Sequence, residues 1–251
     1  MKIHNNKWIV THPAPYPKLR LFCFPYAGGG ASVFREWKNR LGPEIEICAV
    51  QLPGREQRIN ETPFKDLEQA TQSLCDVLTP HLNMPFAFFG HSLGGLLAFS
   101  LCRELRRRSL PSPQCLMVSA CRPPHVPEPR PIYHLPDADF ADALRRYAGT
   151  PDEVLDNKDI MALLLPLLRA DFILAEAFQA SEEPPLDVRL AAFCGTEDPD
   201  APESIMSHWK IHTSGDFSQI SILGNHFFLH GARDELLQRL SMFLRPALQA
   251  A

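Results

Sequence analysis

No apolar run in this chain is long enough to span a bilayer. The opening Met1-Lys2-Ile3-His4-Asn5-Asn6-Lys7 leads into no signal-peptide core, so the expected compartment is the cytoplasm. Cysteine is sparse and unpatterned: seven residues, an odd number, with no metal-ligand spacing. That argues against a disulfide framework and against a zinc site, and leaves buried or free thiols in a reducing compartment. A strong excess of charge of one sign is also missing. A formal net charge of -4 favours neither nucleic acid nor an anionic membrane as partner. What remains is ordinary globular composition, 45% hydrophobic and 22% charged over 251 residues, enough for one α/β domain with an inserted subdomain. Proline is the exception at 24 residues. It concentrates in Pro111–Pro136, which reads as a long irregular connection.

The chain is organised around Phe86–Leu97. Phe86-Ala87-Phe88-Phe89 suits a strand buried in a parallel sheet, and Leu96-Leu97-Ala98-Phe99 continues as a helix. Between them Gly90-His91-Ser92-Leu93-Gly94 has the Gly-x-Ser-x-Gly form of a nucleophile elbow. The turn is so tight that a side chain at Gly90 or Gly94 would collide with neighbouring backbone. Ser92 is thereby lifted to the tip. The N–H of Leu93, at the positive end of the new helix, is set to bind an oxyanion. A pentapeptide with three fixed positions also arises by chance, so the motif needs an acid, a base and a second oxyanion donor in the order Ser, Asp, His.

Residues 1–17 are polar and Pro-rich and read as a loose arm. A strand at Leu19–Phe24 runs into Pro25-Tyr26-Ala27-Gly28-Gly29-Gly30-Ala31-Ser32 and a helix over Val33–Leu41. This Gly-rich loop could cradle a phosphate, but it lacks the Gly-Lys-Ser/Thr ending of a P-loop and the spaced glycines of a dinucleotide site. The favoured reading is an oxyanion loop, with the N–H of Ala27 as donor. After a strand at Glu46–Leu52, Arg55 and Arg58 either bind an anionic substrate group or pin their own loop by salt bridges. Phe64–Leu82 carries one apolar stripe at helical spacing, through Leu67, Ala70, Leu74, Val77, Leu78 and Leu82. The elbow helix ends in Arg106-Arg107-Arg108, read as a solvated helix end.

Gln114–Ala120 is a further strand, and strand character returns only at Val188. Between them, residues 121–187 read as a mostly helical insertion over the carboxyl edge of the sheet, a lid and pocket wall. It holds a helix over Asp137–Tyr147, a start signature at Thr150-Pro151-Asp152-Glu153 with Thr150 as cap, and a helix over Lys158–Ala180 that should kink or break at Pro166. The core is then residues 1–120 and 188–251. Three acids follow the strand at Val188–Cys194: Glu197, Asp198 and Asp200. Asp198 sits deepest in the turn and is chosen as the triad acid, with Glu197 and Asp200 solvated. Among 10 His, His226 follows the last strand, Gln219–Leu223, and completes the order. His91 is read as packing and His230 as a weaker rival. A last helix covers Asp234–Leu248.

With these pieces placed, the chain resembles the type II thioesterases, stand-alone editing hydrolases of nonribosomal peptide and polyketide synthases. The resemblance covers about Leu19 to Leu244. It rests on Phe24-Pro25-Tyr26-Ala27-Gly28-Gly29, Leu52-Pro53-Gly54-Arg55-Glu56, Phe89-Gly90-His91-Ser92-Leu93-Gly94-Gly95, Arg122-Pro123-Pro124-His125, Leu135-Pro136-Asp137, Leu165-Pro166-Leu167-Leu168-Arg169-Ala170-Asp171 and His226-Phe227-Phe228-Leu229, all in order. It implies an α/β-hydrolase fold, a mostly parallel sheet flanked by helices with a helical lid insertion. It implies a Ser92, Asp198, His226 triad and oxyanion donors at Ala27 and Leu93. It also implies hydrolysis of acyl thioesters held on the phosphopantetheine arm of an acyl or peptidyl carrier protein, with no metal and no cofactor of its own. The expected protein is a monomer that binds neither nucleic acid nor membrane. The medium-chain thioesterase of animal fatty-acid synthesis is a near neighbour on the same motifs, and a carboxylesterase or acyltransferase is the alternative on the same fold. Two departures stand out. The family often has Gly-Gly-His at the base loop, where this chain has Gly224-Asn225-His226, with Asn expected to tolerate the left-handed conformation. Tyr26 stands where His is frequent.

Overall fold

In the computed structural model the described residues are 6–249, apart from 39, 148, 150 and 179. The expected cap Thr150 lies outside them, as do the first residues of the arm. Seven strands form one sheet: β1 (Ile9–His12), β2 (Leu19–Phe24), β3 (Ile45–Val50), β4 (Phe86–His91), β5 (Cys115–Ser119), β6 (Arg189–Gly195) and β7 (Phe217–Ile222). Their order is β1-β3-β2-β4-β5-β6-β7, with β1 antiparallel and every other pair parallel. All residues of β2, β3, β4 and β5 are buried, because helices cover both faces. Alternate side chains still separate by face. Phe22, Phe24, Phe86 and Phe88 join the apolar faces of α1 (Leu67–Leu78) and α2 (Leu93–Arg107). Leu21, Cys23, Ala87 and Phe89 face the α8 side (Arg233–Gln249) with Phe34 and Trp37.

The expected stripe on α1 is buried except for the partly buried Val77, and Asp66 caps the helix by accepting from Glu68 N and Gln69 N. The N-terminal arm differs from expectation. The Asn6 side chain accepts from Trp8 N and Ile9 N, and the chain then pairs along β3 as an edge strand with Ile9 fully buried. The helix expected after the Gly-rich loop is a 3-10 helix, Ala31–Trp37.

Between β5 and β6 lie α3 (Asp137–Leu144), α4 (Asp152–Leu155) and α5 (Lys158–Glu176). They bury a small cluster of their own, with Phe140, Leu144, Met161, Leu168 and Phe172. α5 runs through Pro166 without a break. Proline removes one backbone donor there. Burial of Leu167, Leu168, Ala170, Phe172 and Leu174 on the following turns holds the helix together. Two short helices, α6 (Glu203–Met206) and α7 (Phe228–Gly231), follow β6 and β7.

The sheet grows in opposite directions from β2: β3 lies on one side and β4 on the other, with Phe24 in register with Gly90. The carboxyl ends of β2 and β4 therefore open a crevice at a topological switch point. At the opposite edge, Arg20 of β2 donates through Nε to Glu46 Oε2 of β3 at 2.8 Å. The two are register partners and both are buried, and Arg20 also donates to His81 O and Asn83 Oδ1.

Candidate active site

Ser92 sits at the tip of the elbow with φ 53 and ψ -121, a left-handed conformation that a serine adopts only at a cost of about 1–3 kcal/mol. Its own N–H is tied to Ser119 O of β5 at 2.8 Å. The flanking glycines are sterically obligatory. A Cβ on Gly90 would lie 2.0 Å from Gly94 O, and one on Gly94 would lie 2.1 Å from Phe24 O. Those backbones cannot give way, so the strand–helix crossing closes only on glycine.

Asp198 follows β6 and His226 follows β7, and parallel pairing of these strands brings their carboxyl-end loops together. His226 Nδ1 donates to Asp198 Oδ2 at 2.8 Å, and both side chains are buried. Asp198 Oδ1 accepts from Asp200 N at 2.9 Å and Ala201 N at 3.2 Å. Burial alone would raise the Asp198 carboxyl. The hydrogen bond and charge of His226, with the two backbone donors, outweigh it and hold the carboxyl below its ordinary range. With Nδ1–H committed to an acid, the free nitrogen of neutral His226 is Nε2, the one a base needs. Ser92 and His226 line one cavity of about 480 Å³ with Leu96, Leu168, Phe172 and Phe227. Ala27 and Leu93 line it too. Their N–H groups make no hydrogen bond to any described residue, whereas the next N–H groups of the Gly-rich loop are taken: Gly28 N by Asp171 Oδ2 and Gly29 N by Tyr26 O.

Of the competing acids, Glu197 is exposed, but Asp200 is buried rather than solvated. Its Oδ1 lies 3.2 Å from Arg146 Nε of the segment between β5 and β6, and burial pushes its carboxyl up. Glu176 of α5 also lines the cavity. Burial, only partly offset by the N–H groups of Tyr133 and Ile132, pushes it up to about 7. His230 bonds Tyr26 Oη at 2.9 Å and has no part in the Asp198 pair. Tyr26 also packs edge-on against Phe227, so this side chain braces the loop that carries His226. Asn225 is not left-handed; the positive φ falls on Gly224, and the Asn225 side chain caps Phe227 N at 2.9 Å.

His91 does more than pack. A carbonyl only accepts, so the 2.9 Å contact to His226 O places the proton on His91 Nε2, and Nδ1 then accepts from Ser119 Oγ at 2.9 Å. Full burial, with the neighbouring His226, drives its pKa well below the ordinary value and keeps it neutral. It thus tethers the backbone of His226. Arg55 and Arg58 are both buried and both pin chain segments. Arg58 bonds Glu61 and Gln51 O and stacks on Trp8, and Arg55 binds Asp171 of α5. Arg107 and Arg108 are exposed and Arg106 is partly buried, as a solvated helix end should be, and each also pairs with an acid: Glu183 with Arg106, Glu104 with Arg107 and Asp76 with Arg108. The role of Asp171 was not read from the sequence, although an aspartate inside an apolar helical pattern is a signal that a buried partner exists.

All seven cysteines are free and buried. Among the described residues no group of three or more His, Cys, Asp or Glu side chains is disposed to hold a metal. No helix among them is long and apolar enough to cross a membrane.

Comparison with known proteins gives a family match to the thioesterase domain over residues 19–244. The chain is similar to the protein named linear gramicidin dehydrogenase LgrE of Brevibacillus parabrevis, 44% identical over 97% of this chain and 94% of that protein. Among solved structures it is similar to the RedJ thioesterase of the prodiginine pathway in Streptomyces coelicolor, with 40% identity, TM-score 0.86, and coverage of 92% of this chain and 87% of that one. It is likewise similar to YbtT, a type II thioesterase from a yersiniabactin NRPS/PKS pathway, with 30% identity, TM-score 0.87, and coverage of 96% and 99%. The chain therefore belongs to the thioesterase family, as a serine thioesterase of the type II kind on an α/β-hydrolase fold.

Proposed function

We propose that this enzyme removes stalled or aberrant acyl groups from the phosphopantetheine arms of carrier domains in a nonribosomal peptide or polyketide synthase. The observation that carries the mechanism is the 2.8 Å His226 Nδ1–Asp198 Oδ2 bond beside a cavity that also holds Ser92. In this reading His226 Nε2 takes the Ser92 hydroxyl proton as Oγ attacks the thioester carbonyl. Asp198 holds the imidazole in the useful tautomer and stabilises the imidazolium. The oxyanion rests on the N–H groups of Ala27 and Leu93, each contributing ~3 kcal/mol to the barrier reduction. The C–S bond breaks, the pantetheine thiolate leaves with the proton from His226, and an acyl-Ser92 ester remains. Water, deprotonated by His226, then attacks that ester and frees the acid.

Residues 121–187 form the lid in this reading, over a core of residues 1–120 and 188–251. Leu168 and Phe172 of that segment supply apolar walls for the acyl chain. The name of the LgrE relative raises a dinucleotide-dependent reaction as a second reading. The Gly28-Gly29-Gly30 run lacks the spaced glycines that a dinucleotide loop needs, and the Gly28 N–H is already bonded to Asp171.

The test is hydrolysis of one short acyl group presented on a phosphopantetheinylated carrier protein and on N-acetylcysteamine. Strong preference for the carrier is the expected result. Equal rates would mean a general acyl hydrolase and would remove the editing assignment.

A further inference from the structure

The Gly-rich loop is held from a direction its sequence does not reveal. Asp171 lies on α5, within the insertion, and its side chain is 1% exposed. Oδ2 accepts from Gly28 N at 2.7 Å and from Arg55 Nη1 at 2.8 Å, while Oδ1 accepts from Arg55 Nη2 at 2.8 Å. The same Arg55 Nη1 reaches Gly29 O at 3.1 Å. One buried ion pair therefore grips two successive residues of the loop, the N–H of Gly28 and the C=O of Gly29. The grip is immediately next to the unpaired N–H of Ala27. Gly28 needs it, because its φ of +79 is a conformation that a free glycine leaves as readily as it enters. A second contact comes from the same helix: a Cβ on Gly28 would lie 2.7 Å from Leu168 Cδ2, so α5 closes directly over this residue. The bidentate fork fixes direction as well as distance.

We infer that Asp171 and Arg55 are positioning residues for the oxyanion loop, so that seating of α5 is a condition for the Ala27 donor to exist. The insertion is then part of the catalytic apparatus and not a detachable cover. A motion that lifted α5 at Asp171 would release Gly28 and dissolve half of the oxyanion hole. Substrate entry must therefore leave this end of α5 in place. The inference rests on the reading of Ala27 as an oxyanion donor.

The test compares Arg55→Lys with the paired change Arg55→Met/Asp171→Leu, alongside Ser92→Ala, on an acyl-N-acetylcysteamine substrate. Replacing both charges together avoids stranding one, and buried pairs exchanged for apolar residues generally keep their fold. In the paired variant the expected result is an unchanged circular-dichroism spectrum and a fall in kcat of ~10²-fold with KM within about threefold. Affinity for a boronic acid, which forms a tetrahedral adduct in the oxyanion hole, should fall by a similar factor. Affinity for the product acid should hold. Arg55→Lys keeps the charge but loses the fork, and should show the same kcat-selective loss at roughly tenfold. Folded variants with wild-type kcat and boronate affinity, or with losses confined to KM, would overturn the inference. A fully active Ser92→Ala would instead overturn the serine-nucleophile reading beneath it. A dead Ser92→Ala beside a fully active paired variant would sink the positioning role alone.

Discussion

The two edges of the sheet carry the same chemistry to different ends. At the amino edge, Arg20 and Glu46 form a buried pair between register partners of adjacent strands. At the carboxyl edge, Arg55 and Asp171 form a buried pair between a loop and a helix more than a hundred residues later. The first joins elements that the sheet ladder already fixes. The second joins elements that no ladder connects, next to a left-handed glycine and an unpaired N–H. An ion pair is thus a local reinforcement at one edge and a device for geometry at the other. The difference comes from what else holds the partners in place.

Mutation separates the two edges. The largest effect belongs to the carboxyl edge: Ser92→Ala should lower thioester turnover by ~10⁴-fold or more, with the melting temperature kept within a few degrees. Retained hydrolysis would remove the nucleophile. Asp198→Asn should cost ~10⁴-fold by allowing the wrong His226 tautomer, whereas the exposed Glu197→Gln should stay within about twofold. The reverse ranking in steady-state kinetics would reassign the acid. At the amino edge, Glu46→Ala should destabilise by about 3 kcal/mol in urea unfolding by removing the carboxylate that neutralises the buried Arg20, while kcat changes by no more than about twofold. Loss of kcat in the still-folded protein would erase the contrast between the edges.

The smallest effect is on pH dependence. His212 packs against Phe99 and Trp209 and bonds His125. Burial, with the nearby His125 and Arg103, lowers its pKa to about 4. Between its unfolded pKa of about 6.5 and that value the unfolded chain binds the proton first, so His212 removes stability as pH falls through this window. Glu176, raised to about 7, acts with the opposite sign, because its folded form holds a proton that the unfolded chain has lost. The readout is therefore the difference between wild type and His212→Gln in unfolding free energy at pH 7.5, 6 and 5. That difference should shrink as the pH falls. A constant difference would mean that His212 does not titrate in this range.

Sequence reading reached the elbow because its constraints are local. Three glycine and serine positions between an apolar strand and an apolar helix leave few alternative shapes, and the predicted collisions at Gly90 and Gly94 are met by backbone in the structure. The periodicity of α1 was legible for the same reason. Edge strand β1 was not, because its four residues take their order from pairing with β3 and from the Asn6 turn, and pattern shows neither. Pro166 does not break α5 because the local cost of one lost bond is small beside the burial of the turns after it. From sequence Asp200 reads as solvated because an acid in a turn normally is. Arg146 arrives from the segment between β5 and β6 to cover it.

The sequence by itself determined the architecture of alternating strands and helices and the sharp turn at Ser92, since each follows from steric limits and hydrophobic pattern within a few residues. Tertiary structure alone decided which nitrogen of His91 carries its proton, that Arg55 pins a loop instead of binding an anionic substrate group, and that Asp171 grips Gly28. Each of these depends on burial, which withdraws water as a partner. A charge or a ring nitrogen must then find its match in whatever distant segment the fold brings within reach.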